Sequence, residues 1–118
     1  MAGLHISPAM IEGAYELLRT TPPFRGWKLP HADDVTFVVL RKRRPFADTH
    51  FDRKKGFMVR VSHTAHTQLS TLLATVAHEM IHIRQGQLGQ WHGPDHGALF
   101  NKLADQVCWY HHFDRGAF

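Results

Sequence analysis

Thr75–Gln85, TVAHEMIHIRQ, holds two histidines four residues apart, with a glutamate directly after the first. Eleven histidines and three glutamates in 118 residues give a random expectation of roughly 0.025 for an H-E-x-x-H match, so the motif needs support from its surroundings. The first support is periodicity. Leu69, Leu72, Leu73, Val76, Met80 and Ile83 recur at helical spacing, which predicts a helix from about Thr67 to Gln85 with Gly86 placed to end it. His78 and His82 fall on nearly the opposite side of that helix, with Thr71, Thr75 and Gln85. Histidines opposite a core stripe are either solvated or form the wall of a cleft.

The spacing has a chemical use. Side chains at i and i+4 start about 5–6 Å apart at Cβ, so two imidazoles can converge on one ion at about 2.0–2.1 Å. Glu79, one step round the helix, can reach a water on that ion without ligating it. A catalytic zinc keeps one coordination position for water and needs only one more protein ligand. Downstream, His96 stands in DHGALFNKLADQV, where Leu99, Phe100, Leu103 and Val107 share its face. A helix from about Pro94 or Asp95 to near His111 therefore turns His96 inward, toward the helix it packs on. The connecting loop is short, which favours packing against the histidine helix. His92 is a second candidate for the third ligand. Asp95 suits a helix cap or a partner for an imidazole.

His78, Glu79 and His82, then His96, Gly97 and Phe100, together resemble the motifs of the SprT-like zinc metallopeptidases, the Spartan group. The order of elements is similar too: a helix, a small sheet, the active-site helix, then a helix carrying the third ligand. The resemblance implies a minimal zincin-like domain. It implies one zinc ion held by His78, His82 and His96, with Glu79 as general base in peptide hydrolysis. It also implies a protein or peptide substrate, and proteins bound to DNA are a class on which the family acts. The close-spaced metzincin pattern does not fit, because residue 88 is Leu, and no cysteine cluster follows the peptidase segment.

The rest of the chain fits one α+β domain over residues 1–118, with about three helices on a small antiparallel sheet of two to three strands. SPAMIEGAYELLRT reads as the first helix, with Ser7 as cap and Pro8 in its first turn. Met10, Ile11, Ala14, Tyr15, Leu17 and Leu18 supply its apolar face. A Pro-rich connector follows, whose Phe24, Trp27 and Leu29 should pack on the domain. Val35–Leu40 is β-branched and aromatic, hence a strand. PFADTHFDRKK reads as a turn region with room for a short strand. GFMVRVS alternates, with Phe57, Val59 and Val61 on one side, and offers an edge for an extended peptide. Trp27, Trp91 and Trp109 read as packing residues, and Cys108 as an apolar filler.

Net charge is +4, and eight of the fourteen Lys and Arg residues lie between Arg41 and Arg60. Arg41, Lys42, Arg43, Arg44, Arg53, Lys54 and Lys55 bracket a turn, so seven charges near one tip could neutralise phosphates of DNA, with Phe46 and Phe51 for stacking. The alternative is a solvated hairpin whose charges oppose edge-to-edge aggregation. A second functional class is therefore a nucleic-acid-binding module that uses zinc for stability without hydrolysis. One cysteine excludes an internal disulfide framework and points to a reducing compartment, most simply the cytoplasm. No apolar run is long enough to span a membrane.

Overall fold

The computed structural model describes residues 5–64, 68–90 and 96–118. Three helices, α1 (Pro8–Arg19), α2 (Leu69–Gln87) and α3 (Gly97–His111), accompany three strands, β1 (Val35–Leu40), β2 (Ala47–Asp52) and β3 (Gly56–Ser62). The architecture is α+β with one small sheet, as the hydrophobic periodicities predict. No helix among the described residues is long and apolar enough to cross a membrane.

Ser7 opens α1 as expected. Its hydroxyl accepts from the Met10 amide at 3.3 Å, and Pro8 sits in the first turn, where no amide hydrogen is needed. Ile11, Ala14, Tyr15 and Leu18 are buried, whereas Leu17 faces outward. The connector after α1 is ordered by its own apolar anchors: Phe24, Trp27, Leu29 and Ala32 are all buried. Glu16 Oε1 accepts from the Ala32 amide at 2.9 Å, and Tyr15 donates to the Pro30 carbonyl at 2.6 Å. Trp109, by contrast, is 80% exposed and is not a packing residue; Trp91 lies outside the described residues.

The sheet differs from the antiparallel expectation. Its order is β1-β3-β2, with β3 pairing antiparallel to β2 but parallel to β1. The reason is topological. The chain leaves β1, passes the end of the sheet through residues 41–46, and returns along β2 one strand-width too far away to pair. β3 then fills the gap, running in the direction of β1. The crossing segment is tied to the end of β3, where the Ser62 amide donates to the Phe46 carbonyl at 2.8 Å and its hydroxyl donates to the Lys42 carbonyl at 2.6 Å. The sequence PFADTHFDRKK thus contributes a full strand, and the edge toward α2 is β2. β3 is central, so GFMVRVS is not the available edge.

At the β2–β3 turn, Asp52 Oδ1 accepts from the amides of Lys54 and Lys55. Gly56 follows at φ +79, a conformation that disfavours a side chain, with the Asp34 carbonyl 3.2 Å from where a Cβ would sit.

The inner sheet face, with Val35, Phe37, Phe57, Val59 and Val61, joins α1 and α2 in one core. α2 is surrounded: α1, α3 and β2 all pack on it. Its buried set therefore extends beyond the expected stripe to Ala77, Glu79, Ile81 and Gln85, while Leu69 in the first turn is 58% exposed. α2 also runs past Gly86. It ends at Gln87, and in the turn that follows, Gly89 at φ +69 donates to the Gly86 carbonyl while the Gln90 amide donates to the Gln85 carbonyl.

Candidate metal centre

His78 and His82 stand on the face of α2 that meets the start of α3, where His96 immediately precedes the first helical residue. The three side chains converge, with one potential ligand nitrogen from each lying within 4.8 Å of the others. Ring centroids are 5.2 Å apart for His78 and His82, 5.0 Å for His78 and His96, and 5.2 Å for His82 and His96. The cluster can hold a metal ion. His92 and Asp95, the other residues considered for this site, lie outside the described residues.

Phe100 is the floor beneath the rings. It follows His96 by one helical turn and stacks on it at 4.1 Å, with His78 and His82 centred 4.8 and 4.9 Å away. Almost wholly buried, it joins the cluster to the core.

The donor chemistry fits a cation. His78 Nδ1 lies 3.1 Å from the Phe118 carbonyl. A carbonyl can only accept, so Nδ1 carries the hydrogen and Nε2 carries the lone pair. Burial, reinforced by His82 and His96, pushes the His78 imidazole down to about 4 and keeps it neutral. Burial also lowers His82, against a hydrogen bond to Gln85 that favours the charged form. A histidine must be neutral to ligate a metal. Nitrogens within 4.8 Å of one another need only small side-chain rotations to meet one ion at about 2.0–2.1 Å.

Glu79 is 4% exposed. Its Oε1 accepts a 2.7 Å hydrogen bond from the Thr49 hydroxyl on β2. Burial raises its pKa to about 7, against the Thr49 bond and with help from Asp48. Glu79 and His78 line a cleft of about 520 Å³, bounded by Phe46 and Ala47 at the head of β2, by Thr71 and Thr75 on α2, and by the segment from His112 to Phe118. That last segment is held against α3 by Arg115, which pairs with Asp105 at 2.7 Å and donates to Asn101 at 3.1 Å.

The seven basic residues do not form one tip. Arg41–Arg44 lie at the end of the sheet where β2 begins, and Arg53–Lys55 at the turn where it ends. The six-residue strand between them is about 17 Å long. Both groups are exposed. The eighth basic residue, Arg60, is committed to Asp48, with two hydrogen bonds of 2.7 and 2.5 Å.

Sequence reasoning missed three contributors. Gln85 shares the histidine face three residues beyond His82, a signal that was present but not interpreted. Thr49 can be recognised only from the register of β2, and the Phe118 carbonyl only from the path of the chain after α3. Comparison of the chain with protein-family models, curated proteins and solved structures gives no match.

Proposed function

We propose that this protein is a zinc-dependent endopeptidase of the SprT-like kind. The observation that carries the reading is a buried carboxylate, Glu79, that lines one cleft together with His78, itself one of three convergent imidazoles. A structural zinc site, usually closed by four protein ligands, has no use for such a carboxylate, and this weighs against a zinc-stabilised binding module.

Bound zinc supplies Lewis acidity, lowering the pKa of a coordinated water and polarising the scissile carbonyl. The chain's own residues do the rest. His78, His82 and His96 hold the ion. Thr49 engages Oε1 of Glu79 and leaves Oε2 to take the proton of the attacking water. A carboxylate poised near neutrality both accepts that proton and returns it to the leaving amine. An extended peptide pairs along the outer edge of β2, the edge strand packed on α2. Phe46 and Ala47, at the head of that strand, bring it into the cleft.

Contact with nucleic acid is assigned to Arg41–Arg44, because this segment leads directly into Phe46 at the cleft. Substrates held on DNA would then lie next to the reacting groups.

Glu79→Gln tests the mechanism. Metal content should stay at one equivalent while cleavage of an unfolded protein such as casein falls by about 10²–10⁴-fold. His78→Ala and His82→Ala should each lose the metal. A Glu79→Gln protein that cuts at the original rate refutes the assignment.

A further inference from the structure

We propose that Gln85 is a positioning residue for the metal centre, fixing the ring of His82 and the backbone of His96 with one side chain. The role rests on the metal-centre reading above.

The observation is a double contact. The Gln85 side-chain amide lies 2.8 Å from His82 Nδ1 at one end and 3.0 Å from the His96 carbonyl at the other. The orientation follows from hydrogen-bond chemistry alone. The His96 carbonyl can only accept, so the amide nitrogen of Gln85 must face it. The amide oxygen then faces His82, and it too can only accept. Nδ1 of His82 must therefore carry the hydrogen. Its Nε2 is left in the lone-pair form that ligation needs, held at a set ring angle.

Gln85 can do this because of where it stands. It is one turn beyond His82 on α2, only 3% exposed, and its own carbonyl accepts from the Gln90 amide in the helix-ending turn. Its backbone is thus fixed in the turn that ends α2, and its side chain reaches the residue that immediately precedes α3. Two ligands from two helices share one rigid reference. A leucine of similar size fills the space but makes neither bond. A glutamate keeps the acceptor for His82 and loses the donor for His96.

The experiment uses two variants of the whole chain, Gln85→Leu and Gln85→Glu, and two readouts. The first is the His82 tautomer in metal-free protein near pH 8, from ¹⁵N NMR. The wild-type and Gln85→Glu proteins should show the Nδ1–H form, and Gln85→Leu should shift toward the Nε2–H form that free histidine prefers. The second is zinc affinity by competition with a chromophoric chelator, which should weaken about 10–100-fold in Gln85→Leu and recover in part in Gln85→Glu. A residue that only staples α2 to α3 would lower the melting temperature of the metal-free protein and leave tautomer and affinity unchanged. That result, or a wild-type His82 in the Nε2–H form, overturns the proposal. Should Gln85→Leu not fold, the tautomer in the wild-type and Gln85→Glu proteins decides. Wild-type protein that takes up no zinc removes the metal centre itself, whereas wild-type affinity retained in Gln85→Leu removes only the role of Gln85.

Discussion

The hydroxyl of Thr49 donates to Oε1 of Glu79 at 2.7 Å, a bond from the edge strand of the sheet to the carboxylate that follows His78 on α2. Both groups are buried. Thr49→Val keeps the shape and removes the donor, leaving a buried carboxyl short of a partner, which costs about 1–3 kcal/mol. It also removes the hydrogen bond that favours ionisation of Glu79 against burial and Asp48, so less of the base is available at neutral pH. Thr49→Val should therefore melt earlier, keep its metal, and lose about tenfold or more in kcat/KM. Thr49→Ser should restore both stability and rate. Peptide cleavage that is unchanged in Thr49→Val separates Thr49 from the chemistry.

α2 supplies a sharper test of the packing. Ile81 lies outside the apolar stripe that periodicity assigns to the core, yet it is fully buried, whereas Leu69 belongs to that stripe and is 58% exposed. Ile81→Ala should cost about 2–5 kcal/mol. Leu69→Ala should cost no more than about 0.5 kcal/mol. Denaturant melts of the two metal-free variants compare them directly, and equal losses would contradict this burial.

That contrast also marks how far the sequence could be read. The elements were legible where one face is buried and the other is wet: α1 behind its Ser7 cap, and β3 with Phe57, Val59 and Val61 facing in. α2 defeats the same rule because neighbours on several sides leave little polar face to generate a period. The His78–Glu79–His82 spacing is local, so the sequence displays it, and His96 followed because its apolar companions define a helix face. The parallel pairing of β1 with β3 was not legible. Strand direction there depends on β3 entering between two strands that precede it, which no local pattern records. Thr49 and the Phe118 carbonyl are hidden for a similar reason: each reaches the site through the fold, across at least thirty residues of chain.

Acid should remove stability contributed by two ion-paired carboxylates, Glu16 and Asp48. Arg19, with hydrogen bonds down to 2.8 Å, holds the Glu16 carboxyl below its ordinary value, with the Ala32 amide assisting against partial burial. Asp48 is pulled up by burial but more strongly down by Arg60 and His50, and its net shift is also downward. A depressed folded-state pKa means that the unfolded chain binds protons first as pH falls. The stabilisation is therefore present above the unfolded values, about 4.3 for Glu and 3.9 for Asp, and disappears as pH drops through the lower folded values. The contribution of these two carboxylates to stability should fade below about pH 4.5. Glu16→Gln should be the less stable protein at pH 7 and converge with wild type as pH falls through the lowered folded-state value. Curves that stay parallel down to pH 2.5 would show that Glu16 contributes no linked protons.

The division of the basic residues bears on DNA binding in a measurable way. Seven cations on one tip would release counterions together and give a slope of log K against log salt near −6 on duplex DNA. Arg41–Arg44 and Arg53–Lys55 sit at opposite ends of β2, so a short duplex laid against the cleft side meets the first group alone. The slope should then be no steeper than about −3.6, the value for four phosphate contacts. Replacing Arg41, Lys42, Arg43 and Arg44 by Gln should abolish most of the binding and of any stimulation of cleavage by DNA. Replacing Arg53, Lys54 and Lys55 should leave both nearly unchanged. Fluorescence anisotropy on a labelled duplex measures the slope and both variants. Equal losses from the two replacements, with a slope near −6, would mean that the ends of β2 act on one ligand together and that the cleft does not select between them.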